Sequence, residues 1–393
     1  MKKNKNIRRH KNRFRGKPKK KKDTSALDIS KFTNKNIAPE SNNFQSKMNS
    51  FSGLNLHSTL LDRIQQAGYK QPTEIQEKSI KPILAGRDII GIAGTGTGKT
   101  AAFLIPVIQK LIKNRKDLNT LIVTPTRELA NQISEEFKKL SRKMSLFTST
   151  LIGGTNVNQS IKALKRTNHV VIATPGRLID MIKQGYLDPS QFSTLILDEF
   201  DRMLDMGFLR DVLYINNEMI GKDQTLLFSA TLDPTQKKII AEITNNPLEI
   251  KAGPGTHATK AIEQEVVHIP KGENKINVLY DLLSEYKNEK VLLFCETKWL
   301  VKKVCKKLEK KGVKVDMIHG NKSQNARETA LRKFKAGKID LLVATDVIAR
   351  GIDVTDISLV INFDIPRDYN NYIHRIGRTG RAGKLGKALT LVA

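Results

Sequence analysis

The sequence predicts an α/β fold made of two tandem lobes, each a mostly parallel sheet covered by helices. Short β-branched apolar runs alternate with helix-period segments from Phe51 onward, and strands that alternate with helices imply parallel neighbours, because parallel pairing needs crossover connections. The rhythm lapses at Lys251-Ala-Gly-Pro-Gly-Thr-His and then restarts, as expected of a linker between domains. Length agrees: 393 residues is long for one unit at roughly 100 to 200 residues per domain.

In chain order, residues 1–50 read as a basic N-terminal arm. More than half of the residues from Met1 to Lys22 are Lys, Arg or His, and a stretch rich in Asn, Ser and Lys follows, a composition that predicts disorder. The first lobe is expected over 51–254, with buried strands at 88–93, 120–124, 170–173, 194–197 and 225–228. Helical periodicity appears at 101–112, 128–140 and 157–165. The second lobe is expected over 255–393, with strands at 291–294, 315–318, 341–344, 359–363 and 388–392.

Charge narrows the function. Lys and Arg total 68 against 39 Asp and Glu, a net of +29. Roughly +13 of this lies in the arm and the rest on the lobes. A field of this sign attracts polyanions, nucleic acid first and anionic membrane surfaces second. The longest apolar runs, such as residues 103–108, fall well short of the roughly 18 needed to span a bilayer. No apolar segment follows the basic start, so no secretory signal is expected. Cys295 and Cys305 lack the spacing of a zinc site or disulfide framework, which fits a reducing setting, cytoplasmic or nuclear, with the cytoplasm the expected one.

The sharpest motif is Ala93-Gly94-Thr95-Gly96-Thr97-Gly98-Lys99-Thr100, between an expected strand and an expected helix. Glycines let backbone N–H groups surround phosphate oxygens at a helix N-terminus. Lys99 can reach the outer phosphates, and Thr100 can help hold Mg2+. Ala93 replaces the first glycine of the strict pattern. A dinucleotide fingerprint fails, because Lys99 stands where its third glycine would be needed. A second strand delivers Asp198 and Glu199. In a regular strand adjacent side chains point to opposite faces, so Asp198 can face the metal and Glu199 the attacking water. Taken alone, such a pair could equally be a solvated strand end.

With these two motifs in place, the chain from Phe51 nearly to its end resembles the DEAD-box RNA helicases, with Asp198-Glu199-Phe200-Asp201 where that family has Asp-Glu-Ala-Asp. The resemblance implies two RecA-like lobes, ATP and Mg2+ as cofactors, and Lys99, Asp198, Glu199, Arg378 and Arg381 as the catalytic set. Gly68 to Gln76 resembles the family's adenine-reading motif, with Gln76 on the base edge and Phe51 packed against it. Asp353 is implied to meet the ribose. RNA contacts are implied for Arg127, Gly154, Thr174 and Arg177 in the first lobe and for Thr297, Gly320, Arg327 and Thr345 in the second. From the residues alone, Arg127 and Arg177 could instead pair with Glu128 or Asp180. Asp201, Ser229, Thr231 and His374 are implied to couple the ATP and RNA sites, although the hydroxyls of 229 and 231 could equally cap a helix before Asp233.

The implied activity is RNA-stimulated ATP hydrolysis coupled to lobe closure and local unwinding of short duplexes or ribonucleoprotein remodelling. The implied partner is RNA, held by its backbone without sequence preference, with ribosomal or ribonucleoprotein components as further candidates and a monomer as the working unit. The alternatives are a DNA-directed translocase and an ATP-gated RNA clamp or annealing protein. The Phe200 ring, where the family carries a methyl group, implies different packing beneath the site.

Overall fold

A computed structural model describes residues 29–34, 48–94, 96–114, 120–232, 234–252, 261–346, 354, 356–380 and 385–393. Two parallel sheets organise it. The first contains β1 (Ile89–Ala93), β2 (Thr120–Val123), β3 (Thr148–Leu151), β4 (Val170–Ala173), β5 (Thr194–Asp198), β6 (Gln224–Ser229) and β7 (Leu248–Ala252), in the order β3-β4-β2-β5-β6-β1-β7. The second contains β8 (Ile262–His268), β9 (Val291–Phe294), β10 (Val315–Ile318), β11 (Leu341–Ala344), β12 (Leu359–Asn362) and β13 (Gly386–Val392), in the order β10-β11-β9-β12-β13-β8.

The central strands are buried along their whole length, which is why they read as continuous apolar runs. Alternate residues serve opposite faces. Ile89, Ile122, Ile172 and Ile196 pack beneath α2 (Glu74–Leu84), α3 (Lys99–Lys113) and α4 (Arg127–Leu140). Leu121, Val171, Leu195 and Leu197 pack against α6 (Pro175–Lys183), α7 (Phe200–Asp205) and α8 (Leu209–Glu218). In the second lobe α10 (Lys275–Glu285) and α11 (Lys298–Glu309) cover one face, and α12 (Gln324–Lys335) covers the other. The helix α13 (Tyr369–Ile376) follows β12.

The fold departs from expectation at three strands and two segments. β3, β7 and β8 were not anticipated, and each lies at the rim of its sheet, where one side is solvated and the apolar run is diluted by Thr, Ser, Glu, Lys and Gln. Lys251 and Ala252, read as linker, belong to β7 and pair with Ile92 and Ala93; the rest of that linker lies outside the described residues. Within the expected arm, residues 1–28 and 35–47 also lie outside them. Ile29–Phe32, however, forms a 3-10 turn. Phe32 is fully buried with its ring 4.4 Å from Tyr372, and Asn34 exchanges two backbone hydrogen bonds with Gln264 at the open edge of β8.

Candidate active site

The candidate residues gather at the carboxyl ends of the strands, where parallel sheets place ligand sites. β1 runs into the glycine loop, where Gly96 and Gly98 adopt φ of 81° and 91°. A Cβ at Gly98 would collide with the Gln76 amide. Gln76 is fully buried; its Nε2 donates to the Gly98 carbonyl at 3.0 Å, and its Oε1 accepts from Thr73 N at 2.9 Å. The adenine-reading candidate is therefore wired to the phosphate loop. A Cβ at Gly96 would meet nothing within 4 Å, so this side of the loop is open. Lys99 is buried and donates from Nζ to the Ala93 carbonyl at 2.7 Å, and Thr100 sits in the first turn of α3. Thr95 lies outside the described residues. Phe51 is packed in the core, edge-on to Tyr69 at 6.4 Å.

The acidic pair separates by a different device from strand alternation. β5 ends at Asp198, and Glu199 takes a left-handed conformation (φ 52°, ψ 52°) that turns the chain into α7. Such a conformation is uncommon for a residue other than glycine and is found preferentially at functional sites. Arg202 is buried and ion-paired with Glu199, a brace that the i, i+3 spacing could have signalled. Burial pushes the Asp198 carboxyl up to about 7; Lys99 opposes the shift, while Glu199 and Asp201 add to it. A cation brought here would relieve that cost. A hydroxyl at a helix start, one buried carboxylate and an open glycine loop fit Mg2+ carried on a triphosphate, because Mg2+ is usually held by one or two carboxylates plus substrate phosphates.

Asp201 holds the next strand end. Its Oδ2 accepts from the N–H groups of Ala230 and Thr231 at 3.2 and 3.0 Å and from Thr231 Oγ1 at 3.0 Å. Ser229 Oγ accepts from Asp201 N at 3.2 Å and donates to the Thr231 carbonyl at 2.6 Å. Both hydroxyls thus face the acidic motif. From the second lobe, His374 Nε2 approaches Asp201 Oδ2 to 4.0 Å.

Neither local ion pair considered for the first-lobe arginines forms. Arg127 lies over Gly153 and Gly154, and a Cβ on Gly154 would run into its guanidinium. Arg177 is buried and donates to Ser160 Oγ at 2.9 Å and the Thr155 carbonyl at 3.0 Å. Glu128 pairs instead with Arg327 of the second lobe at 2.5 Å, both side chains buried, a contact that no local spacing signals. Thr174 and Thr297 are the N-caps of α6 and α11. A Cβ on Gly320 would meet nothing within 4 Å, and Thr345 directly follows β11.

On α13 lies another residue that sequence reasoning passed over. Arg375 is buried, bonds both oxygens of Asp346 at 2.5 and 2.8 Å, and also donates to the Asn362 side chain and the Asp364 carbonyl. It fixes the helix that carries His374 and leads into Arg378. Arg381 and Asp353 lie outside the described residues. The deciding arrangement is a cleft lined by Lys99, Glu199, Asp201, Arg202 and Ala230 of the first lobe and by His374 and Arg378 of the second.

Comparison with known proteins accounts for both halves of that cleft. Residues 73–239 match the DEAD/DEAH box helicase family, and residues 274–383 match the helicase conserved C-terminal domain. The chain is 41% identical over 343 residues to the DEAD-box ATP-dependent RNA helicase CshA of Streptococcus pneumoniae serotype 4, covering 87% of this chain and 65% of that one. It is 40% identical to the ATP-dependent RNA helicase SrmB of Escherichia coli, covering 87% of this chain and 78% of SrmB. This chain belongs to the DEAD-box RNA helicase family. Its two sheets are the tandem RecA-like domains of that family. Saccharomyces cerevisiae Dbp5 bound to RNA and ADP BeF3 superposes with a TM-score of 0.78 at 28% identity, covering 88% of this chain and 89% of Dbp5. The DEAD-box chain described here spans just under two thirds of the length of its CshA relative. Among the described residues, no helix is long and apolar enough to cross a membrane.

Proposed function

We propose that this chain is an RNA-stimulated ATPase that couples closure of its lobes to local unwinding of short RNA duplexes or remodelling of ribonucleoproteins. The observation that carries this reading is the cleft in which Lys99 and Glu199 of one lobe face Arg378 and His374 of the other. Neither lobe holds a complete hydrolytic set, so turnover requires the two to meet.

The glycine loop from Gly94 to Gly98 cradles the phosphates, with Lys99 leaving the Ala93 carbonyl to hold the outer ones. Mg2+, reached by Thr100 and Asp198, would neutralise charge on the phosphate oxygens. Glu199, braced by Arg202, accepts the proton of the attacking water as its oxygen bonds the terminal phosphorus and the bond to the β–γ bridging oxygen breaks. Arg378, with Arg381, balances the charge that spreads over the transferring group. Gln76 reads the adenine edge while gripping the loop, so base recognition and phosphate binding move together. Asp353 meets the ribose.

Arg127, Gly154, Thr174 and Arg177 of the first lobe and Thr297, Gly320, Arg327 and Thr345 of the second form an RNA track across the same division. Asp201, Ser229, Thr231 and His374 connect it to the ATP cleft. Because both ligands span the lobes, each favours closure and their binding is mutually cooperative. Asp198-Glu-Phe-Asp201 serves as the acidic motif with its carboxylates intact, since Phe200 is buried among Met203, Leu227 and Ile240 rather than in the cleft. We assign residues 51–254 and 255–393 to the two lobes, a single copy in the cytoplasm as the working unit, and RNA as the partner.

Phosphate release at rising RNA concentration tests this directly. The parent is expected to turn over many times with RNA and to respond far less to DNA of matched sequence, and Lys99→Ala should lose the RNA-stimulated rate. Equal stimulation by DNA, or full turnover by Lys99→Ala, would contradict the reading.

A further inference from the structure

The chain's single tryptophan, Trp299, has no role in the ATP cleft or in the RNA track above. Its side chain is 70% exposed, in the first turn of α11, two residues after Thr297, which caps that helix by accepting from Leu300 N at 3.2 Å. Burial on α11 falls to Val301, Val304, Cys305 and Leu308; the indole is not part of that face. Two ammonium groups lie near its ring, Lys298 Nζ at 6.0 Å and Lys302 Nζ at 5.4 Å from the centroid. Lys298 also reaches Asn321 Oδ1 at 3.4 Å, beside Gly320. Together with Lys322, the same two lysines depress the His319 pKa below its ordinary value, after burial. The indole therefore stands at the outer edge of a basic ledge that begins at Thr297 and Gly320.

We propose that Trp299 is a base-stacking platform for single-stranded RNA, extending the second-lobe track beyond its phosphate contacts. The inference rests on the RNA-binding reading above. An exposed large aromatic ring costs solubility and here lies off the buried face of α11, a segment that carries five lysines against one glutamate. Lysines beside a flat indole offer a single strand its two needs at once, cations for the backbone and a π-face for a base. Stacking of this kind tolerates any base, in keeping with a protein that holds RNA without reading its sequence.

Because the protein has one tryptophan, its emission reports this site alone. The full chain is titrated with an end-labelled oligouridylate while label anisotropy and indole emission are followed together. Saturable quenching that tracks the anisotropy curve is expected, whereas inorganic polyphosphate should bind the lysines without comparable quenching. Trp299→Ala should weaken oligouridylate binding about ten-fold, and Trp299→Tyr should recover most of it, with the salt slope unchanged in both. RNA that binds with no change in emission and equal affinity for Trp299→Ala would overturn the stacking site and leave the RNA reading standing. Polyglutamate that perturbs the indole as strongly as RNA would also overturn it, in favour of an acidic protein partner. If the parent binds no RNA by anisotropy, the functional reading itself falls, and the stacking site with it.

Discussion

Phe200, between Glu199 and Asp201, is fully buried in the first-lobe core. The left-handed Glu199 directs the chain so that the next side chain enters the core under the sheet, fully buried. An alanine there would leave a ring-sized gap in this particular core. Phe200→Ala is therefore expected to lower stability by about 3–5 kcal/mol, the usual cost of deleting a buried aromatic ring, in urea unfolding of the first-lobe signal. A loss below about 1 kcal/mol would mean that the core closes over the gap. The two thiols make a second residue-scale case. Burial pushes Cys305 up to about 12, with Glu309 and Asp316 adding to the shift, and raises Cys295 further, again chiefly through burial. Raised thiol pKa values leave only a trace of thiolate at pH 8, and the thiolate is the reactive form. Both should resist a thiol reagent in the native protein, and both should react promptly in urea. Fast native labelling would show that the second-lobe core is more open than described.

At the scale of elements, the ion pair between α4 and α12 joins the lobes outside the lining of the cleft. Glu128 and Arg327 are both buried, so removing one partner strands the other charge, typically at about 3–5 kcal/mol. Glu128→Ala should disfavour closure, seen as less energy transfer between dyes on the two lobes at saturating ATP analogue and RNA. Closure of Glu128→Ala indistinguishable from the parent would show the pair to be incidental. This contact also marks the limit of what a sequence displays. Central strands were legible because burial on both faces forces continuous apolar runs, and the glycine loop because its chemistry is local. The rim strands β3, β7 and β8 were not, because a solvated edge admits polar residues. The Arg375–Asp346 and Glu128–Arg327 pairs were illegible for a further reason: their partners meet only once the lobes have folded. Arg202, by contrast, stood one helical turn from Glu199 and could have been named.

Across the whole molecule, the cleft is divided between the lobes built on the two sheets. Gln76, the glycine loop, Asp198 and Glu199 are organised by the first lobe. Arg375 anchors the helix that brings His374 and Arg378 from the second. Packing of Phe32 onto Tyr372 of that same helix ties a segment preceding the first lobe to the second, so chain upstream of one lobe and chain downstream of it both reach the other. The most direct test of division is to remove the second lobe's contribution alone. With saturating RNA, Arg378→Ala should bind ATP within a few-fold of the parent yet hydrolyse it about a thousand-fold more slowly, the scale of a missing transition-state arginine. Parent-like turnover by Arg378→Ala would mean that the first lobe hydrolyses ATP unaided, and the divided site would have to be abandoned.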